Sequence, residues 1–286
     1  MNIRPGFSVH IFRLAAFGCA FLTIAVFGMM LFLGWPLLSS GQFFVLLTRE
    51  WLPSQEIYGI YPMIAGSMTI ALLALCLSLP ISLGTAFVAA TLAPRRLRKV
   101  VLVTVRFMAG IPTVIYGFVA VFLLVPFMRE QLAGGSGLNI LTASMVLALL
   151  IAPTMIVFFV NGLGNVARSY CLAVDALGGK PVQKLLYLQL PQAWPTVLAG
   201  IILGFGRAMG DTLISLMLAG NSIAIPRGVF DSGRTLTAHI ALVLAADFAS
   251  MEFKSIFACG LVLYIFSVIV VILLRYLTGA LVRPPG

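Results

Sequence analysis

The sequence predicts an all-α membrane protein with six transmembrane helices and both termini in the cytoplasm. Three observations predict this class: 61% of the 286 residues are hydrophobic and only 9% are charged, several apolar runs have the length of a membrane span, and Lys and Arg are distributed unevenly between those runs. A soluble domain carries roughly 25% charged residues. A transmembrane β-barrel is excluded because the runs are continuously apolar and do not alternate.

Six apolar runs have about the 20 residues that a helix needs to cross the hydrocarbon core of a bilayer. They are 14–34, 62–92, 101–127, 140–163, 196–220 and 255–278. The first follows a cytoplasmic segment, 1–13, and we interpret it as an uncleaved span because it is longer than a signal-peptide core and no small-residue cleavage site follows it. The second is long for one crossing and contains Pro80, so we expect it to tilt, kink or project beyond the membrane.

The third run is interrupted by Gly110-Ile111-Pro112. Such an interruption frees backbone groups, which then need partners within the protein or in a water-filled cavity. Interrupted helices mark binding sites in many transporters, whereas an ordinary proline kink explains the same residues equally well. Thr113 and Tyr116, which follow the interruption, are therefore secondary candidates for a substrate pathway.

The charges of the connecting segments predict the orientation. With the N-terminus inside, eleven Lys and Arg residues and one acid, Asp175, face the cytoplasm, whereas five Lys and Arg residues and six acids face the outside. Short cytoplasmic loops carry an excess of Lys and Arg in membrane proteins. The formal net charge of +10 is thus a topology signal and gives no reason to expect nucleic acid as a partner; the expected surroundings are membrane lipid.

No motif for a metal, a cofactor or ATP hydrolysis is present. The four cysteines and two histidines lack metal-ligand spacing, and we expect His239, in the last outside loop, to be a surface histidine with satisfied polar partners. The glycine-rich segment 134–137 lacks the preceding strand and the Lys-Ser/Thr pair of a phosphate-binding loop. The chain is therefore not expected to be an enzyme, and active transport requires an external ATPase.

Arg207 is the main candidate for substrate contact, because it lies near the middle of 196–220 and a charge at that depth is expensive. Its planar fork of donors matches two oxygens of an oxyanion. Asp211 is four residues on, where helical side chains meet. It would lower the cost of keeping Arg207 in the membrane, and its carboxylate would accept a hydrogen bond from an oxyanion that carries a proton. The alternative is a neutralised pair that holds two subunits together.

The cytoplasmic loop 164–195 contains two short helical pieces, divided at Gly178-Gly179 and stopped by Pro191. One face of the first piece carries small and apolar residues: Ala173, Ala176 and Leu177. Asp175 lies on the opposite face. In isolation, such an amphipathic helix is more typical of the membrane surface than of a docking site for a partner.

At this loop the sequence resembles a known family. Gly178, followed thirteen residues later by Pro191, is similar to the coupling-helix signature of ABC importer permeases, in which the first helix seats in a cleft of the ATPase subunit. Further stretches resemble phosphate permeases in particular: 93–98 with 109–118, and 204–212. Two more, 217–221 and 235–241, resemble the C-type subunit of those permeases more than the A-type subunit.

The resemblance extends over about residues 50–280 and implies the type I ABC importer permease architecture, with a five-helix core at 62–280. It implies a heterodimer with a second homologous permease, a cytoplasmic ATPase dimer and an extracytoplasmic phosphate-binding protein as partners. The implied substrate pathway comprises Arg207, Asp211, Thr212, Thr113 and Tyr116. The implied ATPase-coupling residues are Ala173, Asp175, Ala176, Leu177, Gly178 and Pro191.

The sequence departs from the family pattern at two acids. Leu172-Ala173-Val174 stands where the coupling signature has Glu-Ala-Ala, which leaves Asp175, one helical turn on, as the candidate replacement. Asp211 stands where phosphate permeases have Glu, and its side chain is one methylene shorter. The permeases of molybdate, tungstate and sulfate therefore stay open as alternatives.

Two other classes of protein are weaker alternatives. An intramembrane protease needs a histidine or lysine base at membrane depth, and no span carries one deep inside. A phosphatase-like intramembrane enzyme could use Arg207 and Asp211 but lacks a second acid or a histidine nucleophile. A passive channel predicts uptake that survives the loss of ATP.

Overall fold

The computed structural model describes residues 7–39, 41–133, 135–248 and 250–282. The first six residues of the predicted segment 1–13, and Gly134 of the glycine-rich segment, lie outside the described residues. Within the described ranges the chain forms twelve helices and one two-stranded antiparallel hairpin. The helices are α1 (Phe7–Ser39), α2 (Gln42–Thr48), α3 (Tyr61–Phe87), α4 (Arg95–Gly110), α5 (Thr113–Phe127), α6 (Ile140–Gly164), α7 (Arg168–Ala176), α8 (Pro181–Lys184), α9 (Leu190–Met209), α10 (Leu213–Leu218), α11 (Leu236–Val243) and α12 (Met251–Val282), and the strands are β1 (Trp51–Leu52) and β2 (Ile57–Tyr58).

Wider π-helical turns extend three of these helical regions, at Val88–Leu92, Met128–Ala133 and Leu185–Gln189. Six helical segments are long and apolar enough to cross a membrane, which confirms the predicted number of spans. They are Val9–Ser39, Tyr61–Leu92, Thr113–Gln131, Ile140–Gly164, Pro181–Met209 and Met251–Leu277.

Two of the spans differ from the sequence prediction. Residues 101–110 belong to the separate helix α4, so the third span begins at Thr113 and not at residue 101. The predicted span 196–220 is interrupted between α9 and α10, because Gly210 to Thr212 leave the helical hydrogen-bonding pattern. By contrast, α3 continues past Pro80 without a break.

Helix α6 is the centre of the bundle and packs against α3 and α9. Most of its side chains are buried, as in Leu147, Ile151 and Phe159, which are 0% exposed, whereas Met145 and Leu149 are exposed. Glycines allow α9 to approach α6 closely. A Cβ at Gly200 would lie 2.8 Å from Cε1 of Phe159, and one at Gly204 would lie 2.9 Å from Cγ of Met155. Small residues serve this purpose in membrane helices generally.

Helix α1 lies at the edge of the bundle and packs mainly on α12 and α2. The rings of Phe27 and Tyr264 stack across this contact with their centroids 3.9 Å apart. Most of the remaining apolar side chains of α1 are exposed, as are many of those of α5. In a chain that crosses a membrane, such surfaces face lipid or other membrane subunits.

At the outer end of the bundle, the prediction of a surface histidine at position 239 is wrong. His239 is 0% exposed because α11 packs its ring against the edge of Trp51, with the ring centroids 4.4 Å apart. Its Nε2 lies 3.1 Å from Oγ of Ser255, and its Nδ1 lies 3.5 Å from Nη1 of Arg234. Burial, followed by the charge of Arg234, lowers the pKa of His239 to about 3.

Candidate functional site

The break between α9 and α10 lies beside the central helix. Helix α9 ends at Met209, and Asp211 turns its carboxylate to the first turn of α10, where Oδ2 accepts hydrogen bonds from the backbone N–H of Ile214 (2.9 Å) and Ser215 (3.4 Å). The hydroxyl of Thr237 donates to the backbone carbonyl of Asp211 over 2.7 Å. An interrupted helix is tolerated at membrane depth only where its freed groups find such partners.

Arg207 lies in the last turn of α9, opposite the middle of α6. Its Nη1 donates a hydrogen bond of 2.7 Å to Oγ1 of Thr154. In the part of the chain that the structure describes, Arg207 makes no ion pair with a carboxylate. The predicted contact between Arg207 and Asp211 is therefore wrong: the helix that would align them ends at Met209, and the carboxylate caps α10 instead.

A second break, between α4 and α5, lies at the start of the helix that packs against α10. The hydroxyl of Tyr116 donates a 3.0 Å hydrogen bond to the carbonyl of Met108, near the end of α4, and thereby bridges the break. Helix α5 also packs on α10, and a Cβ at Gly117 would lie 2.8 Å from Sδ of Met217. The two breaks therefore face one region of the bundle.

The remaining pathway candidates contribute less. Thr212 is partly exposed, and its backbone carbonyl accepts from the N–H of Leu216 over 2.9 Å. Thr113 is the first residue of α5 and is also partly exposed. Sequence reasoning missed Thr154, although a polar side chain directly after Pro153, in the middle of an apolar span, was a visible signal.

In the cytoplasmic loop, the glycine pair ends α7 in a defined turn. Gly178 has a φ of 76°, and its N–H donates to the carbonyl of Asp175 over 3.0 Å, while the N–H of Gly179 donates to that of Val174 over 2.9 Å. These two bonds form a Schellman motif, which favours glycine at the left-handed position. A Cβ at Gly179 would lie 2.5 Å from Cγ1 of Val174, so both glycines are required by geometry.

The two helices on either side of this turn are tied together. Nζ of Lys184 lies 2.6 Å from Oδ1 of Asp175, which joins α8 to α7. Asp175 is therefore ion-paired within the chain. The prediction that Pro191 stops the second helical piece is wrong, because Pro191 lies in the first turn of α9. The π-helical turn Leu185–Gln189 runs into α9 without a gap, and the N–H of Leu190 donates to the carbonyl of Leu185, so the helix continues past the proline.

The loop exposes large apolar side chains on the cytoplasmic side. We define the coupling surface as Tyr170, Leu172, Leu177 and Tyr187, which are 56%, 56%, 88% and 81% exposed. The predicted coupling residues Ala173 and Ala176 are also exposed. Sequence reasoning identified Leu177 but missed the two tyrosines and Leu172. Exposed apolar clusters of this kind mark interaction sites.

The loop is also connected to the transmembrane bundle. Oγ1 of Thr91, at the cytoplasmic end of the second span, donates a 2.8 Å hydrogen bond to Oε1 of Gln189, in the π-helical turn that leads into α9. Helix α9 carries Arg207 at its other end, so one continuous helix connects the loop to the region of the two helix breaks.

Comparison with known proteins agrees with this architecture. Residues 78–283 match the family described as binding-protein-dependent transport system inner membrane component. A probable ABC transporter permease protein, YqgH of Bacillus subtilis, is 31% identical over 237 residues, which cover 82% of this chain and 77% of the relative. The phosphate transport system permease protein PstC of Pasteurella multocida is 28% identical over an alignment of 299 positions, which covers 98% of this chain and 91% of the relative. PstC of Xylella fastidiosa strain Temecula1 is 30% identical over 261 residues, which cover 84% and 79%.

Solved structures of two ABC transporters share the fold. A bacterial transporter involved in the import of the acidic polysaccharide alginate has a TM-score of 0.66 at 13% identity and covers 94% of this chain and 95% of its own. The inward-facing MetNI methionine transporter has a TM-score of 0.54 at 17% identity and covers 77% and 94%. The chain therefore belongs to the binding-protein-dependent transport system inner membrane components, and it is a multi-pass inner-membrane permease subunit of the ABC importer class.

Proposed function

We propose that this chain is a permease subunit of an ATP-driven importer that moves inorganic phosphate from an extracytoplasmic binding protein into the cytoplasm. The observation that carries the proposal is Arg207, held opposite the middle of the α6 span by Thr154 and without an ion-paired carboxylate within the described ranges. A lone cation at that depth is energetically costly, and such residues in membrane proteins mark substrate or ion pathways. The PstC relatives support phosphate as that substrate.

Arg207 retains most of its capacity to bind an oxyanion. A guanidinium has five N–H donors, and one hydrogen bond to Thr154 leaves the others for phosphate oxygens. Asp211 uses Oδ2 to cap α10, and Oδ1 makes no hydrogen bond to a described residue. We assign Oδ1 the role of accepting a hydrogen bond from the protonated oxygen of phosphate. Sulfate carries no such proton at neutral pH.

On the cytoplasmic side, the coupling surface is the docking site for an ATPase dimer. Leu177, at the tip of α7, is the most exposed of its side chains and suits insertion into a cleft. The Schellman turn and the Asp175–Lys184 ion pair hold α7 and α8 as one unit, so docking energy is not lost in ordering the loop. A second homologous permease completes the pathway as a heterodimer.

Phosphate uptake by cells that carry Arg207→Ala tests the proposal directly. We expect uptake to fall by at least about tenfold, since a hydrogen bond to a charged group contributes roughly 1.5–3 kcal/mol. Arg207→Lys keeps the charge but loses the planar fork, and we expect only partial recovery. Arg49→Ala, at an exposed arginine outside the site, is the matched control. If Arg207→Ala keeps normal phosphate uptake but loses the uptake of molybdate, tungstate or sulfate, the substrate is that anion and not phosphate.

The role of Asp211 is tested by the ratio of phosphate to sulfate uptake in Asp211→Asn. Asparagine keeps a cap oxygen for α10 but places an N–H donor where the carboxylate accepts. We expect phosphate uptake to fall more than sulfate uptake. An unchanged ratio would exclude this role for Asp211 and leave that of Arg207 intact.

A further inference from the structure

Helix α4 carries a concentration of positive charge without counterions. Arg95, Arg96, Arg98, Lys99 and Arg106 are all exposed, and α4 contains no acid. None of these cations makes an ion pair with a carboxylate within the described ranges. Four of them lie in the first turn and a half, where the helix dipole disfavours positive charge. The helix is therefore a site of uncompensated positive potential.

Four of the five cations line one groove. Arg95, Arg98, Lys99 and Arg106 surround an open groove of about 290 Å³, whose other walls are Leu102 and Val103. These positions recur at intervals of three and four residues and so form a single face of the helix. Arg96 lies outside the groove. The groove combines a cationic rim with apolar walls, and its volume is at the lower end of the roughly 300–1,000 Å³ of ligand pockets.

The position of α4 places this groove at the cytoplasmic membrane surface. Helix α4 follows the cytoplasmic end of the second span and precedes the third span. Its exposed apolar side chains include Val100, Val103 and Phe107, which are 61%, 55% and 73% exposed. Basic amphipathic helices with exposed aromatic and aliphatic side chains lie in the interface between headgroups and acyl chains. The cytoplasmic leaflet supplies anionic headgroups there.

We propose that this groove binds the phosphate headgroup of an anionic phospholipid from the cytoplasmic leaflet. The cations contact the headgroup phosphate, and Leu102 and Val103 contact the upper part of an acyl chain. A free phosphate ion would use the cations alone and leave the apolar walls without a function. The lipid also supplies the counter-charge that the described part of the chain does not provide.

The test uses the full chain purified in a neutral detergent, titrated with short-chain phosphatidylglycerol or phosphatidylcholine and monitored by native mass spectrometry. We expect phosphatidylglycerol to bind at least tenfold more tightly than phosphatidylcholine. In Arg95→Gln/Arg98→Gln, the affinity for phosphatidylglycerol relative to phosphatidylcholine should fall by about fivefold for each cation removed, as expected near an anionic surface. Arg168→Gln/Lys180→Gln, which removes the same charge elsewhere on the cytoplasmic side, should retain it.

Three results would overturn the proposal: equal binding of the two lipids, an undiminished preference in Arg95→Gln/Arg98→Gln, and complete displacement of phosphatidylglycerol by millimolar inorganic phosphate. The last result would assign the groove to the free ion. Arg96→Gln, on the same helix but outside the groove, should bind the lipid normally and controls for damage to α4. Far-UV circular dichroism and size-exclusion profiles confirm that each variant is folded. None of these results depends on phosphate being the transported substrate.

Discussion

The hydrogen bond between Arg207 and Thr154 provides the sharpest test of the site, because the two residues lie on different helices and are 53 positions apart. Thr154→Val replaces the hydroxyl with a methyl group of nearly the same size, so the packing of α6 is retained while the acceptor is lost. Thr154→Ser keeps the hydroxyl and loses only the methyl group. The pair of variants therefore separates hydrogen bonding from volume.

The magnitude follows from the kind of bond. At 2.7 Å, Nη1 of Arg207 makes a short, charge-assisted hydrogen bond. Such bonds contribute roughly 1.5–3 kcal/mol. If that contribution holds the guanidinium in its transport position, Thr154→Val should reduce phosphate uptake at low phosphate by about tenfold to a hundredfold. Thr154→Ser should stay within about threefold of the wild type.

The assay is the initial rate of radiolabelled phosphate uptake over a range of phosphate concentrations, with the amount of each variant in the membrane fraction measured by immunoblot. Equal uptake by the Val and Ser variants, at equal abundance, would refute the idea that Thr154 positions Arg207. A loss caused only by low abundance would appear in the immunoblot and would equally contradict the transport explanation.

Three further outcomes follow from packing, backbone geometry and burial. Gly200→Ala should lower the melting temperature in detergent by several degrees, because its Cβ would lie 2.8 Å from an aromatic ring of α6 and overpacking costs about 1–3 kcal/mol. Gly206→Ala, whose Cβ would have its nearest contact at 3.4 Å, should leave the melting temperature nearly unchanged. Equal shifts in the two variants would contradict the observed packing of α9 on α6. Gly178→Ala should weaken the co-purification of an ATPase with the chain, because the left-handed conformation costs an L-residue about 1–2 kcal/mol. Gly164→Ala, whose Cβ would meet no atom within 4 Å, should leave co-purification unchanged. Unchanged co-purification in both variants would show that the turn at Gly178 is not needed for docking. The pKa of His239 is lowered to about 3, so the folded chain keeps the ring neutral while the unfolded chain protonates it below about pH 6.5. The free energy of unfolding should therefore decline as the pH falls from 6.5 towards 3, by about 1.4 kcal/mol per pH unit. The melting temperature measured against pH tests this, and an equally steep decline in His239→Gln would argue against His239 as the cause.

The candidate site was only partly predictable from the chain. Arg207 is conspicuous because it is a cation in an apolar run, and the glycine pair at 178–179 is conspicuous because it separates two helical patterns. The interpretation of Asp211 as the ion partner of Arg207 assumed an unbroken helix. The acid instead caps a new helix, since the unpaired first-turn amides of α10 compete for the same carboxylate.

The ion pair of Asp175 with Lys184 was also not predictable from the sequence. Sequence spacing within α7 shows which face the acid occupies but not that the chain folds back after Gly178 and brings Lys184 within 2.6 Å. His239 was misplaced for a related reason. A polar residue in an outside loop has no local signal that tells whether a distant Trp51 will cover it.

Composition and charge by themselves determined the number of spans, the helical class and the cytoplasmic side, because the partition of an apolar segment into a bilayer and the bias of Lys and Arg are local properties of the chain. Only the tertiary structure decided where the helices break, that Thr154 holds Arg207 and that cations of α4 line a groove. Those features depend on contacts between residues far apart in sequence and on competition for hydrogen-bond partners, which no local pattern records.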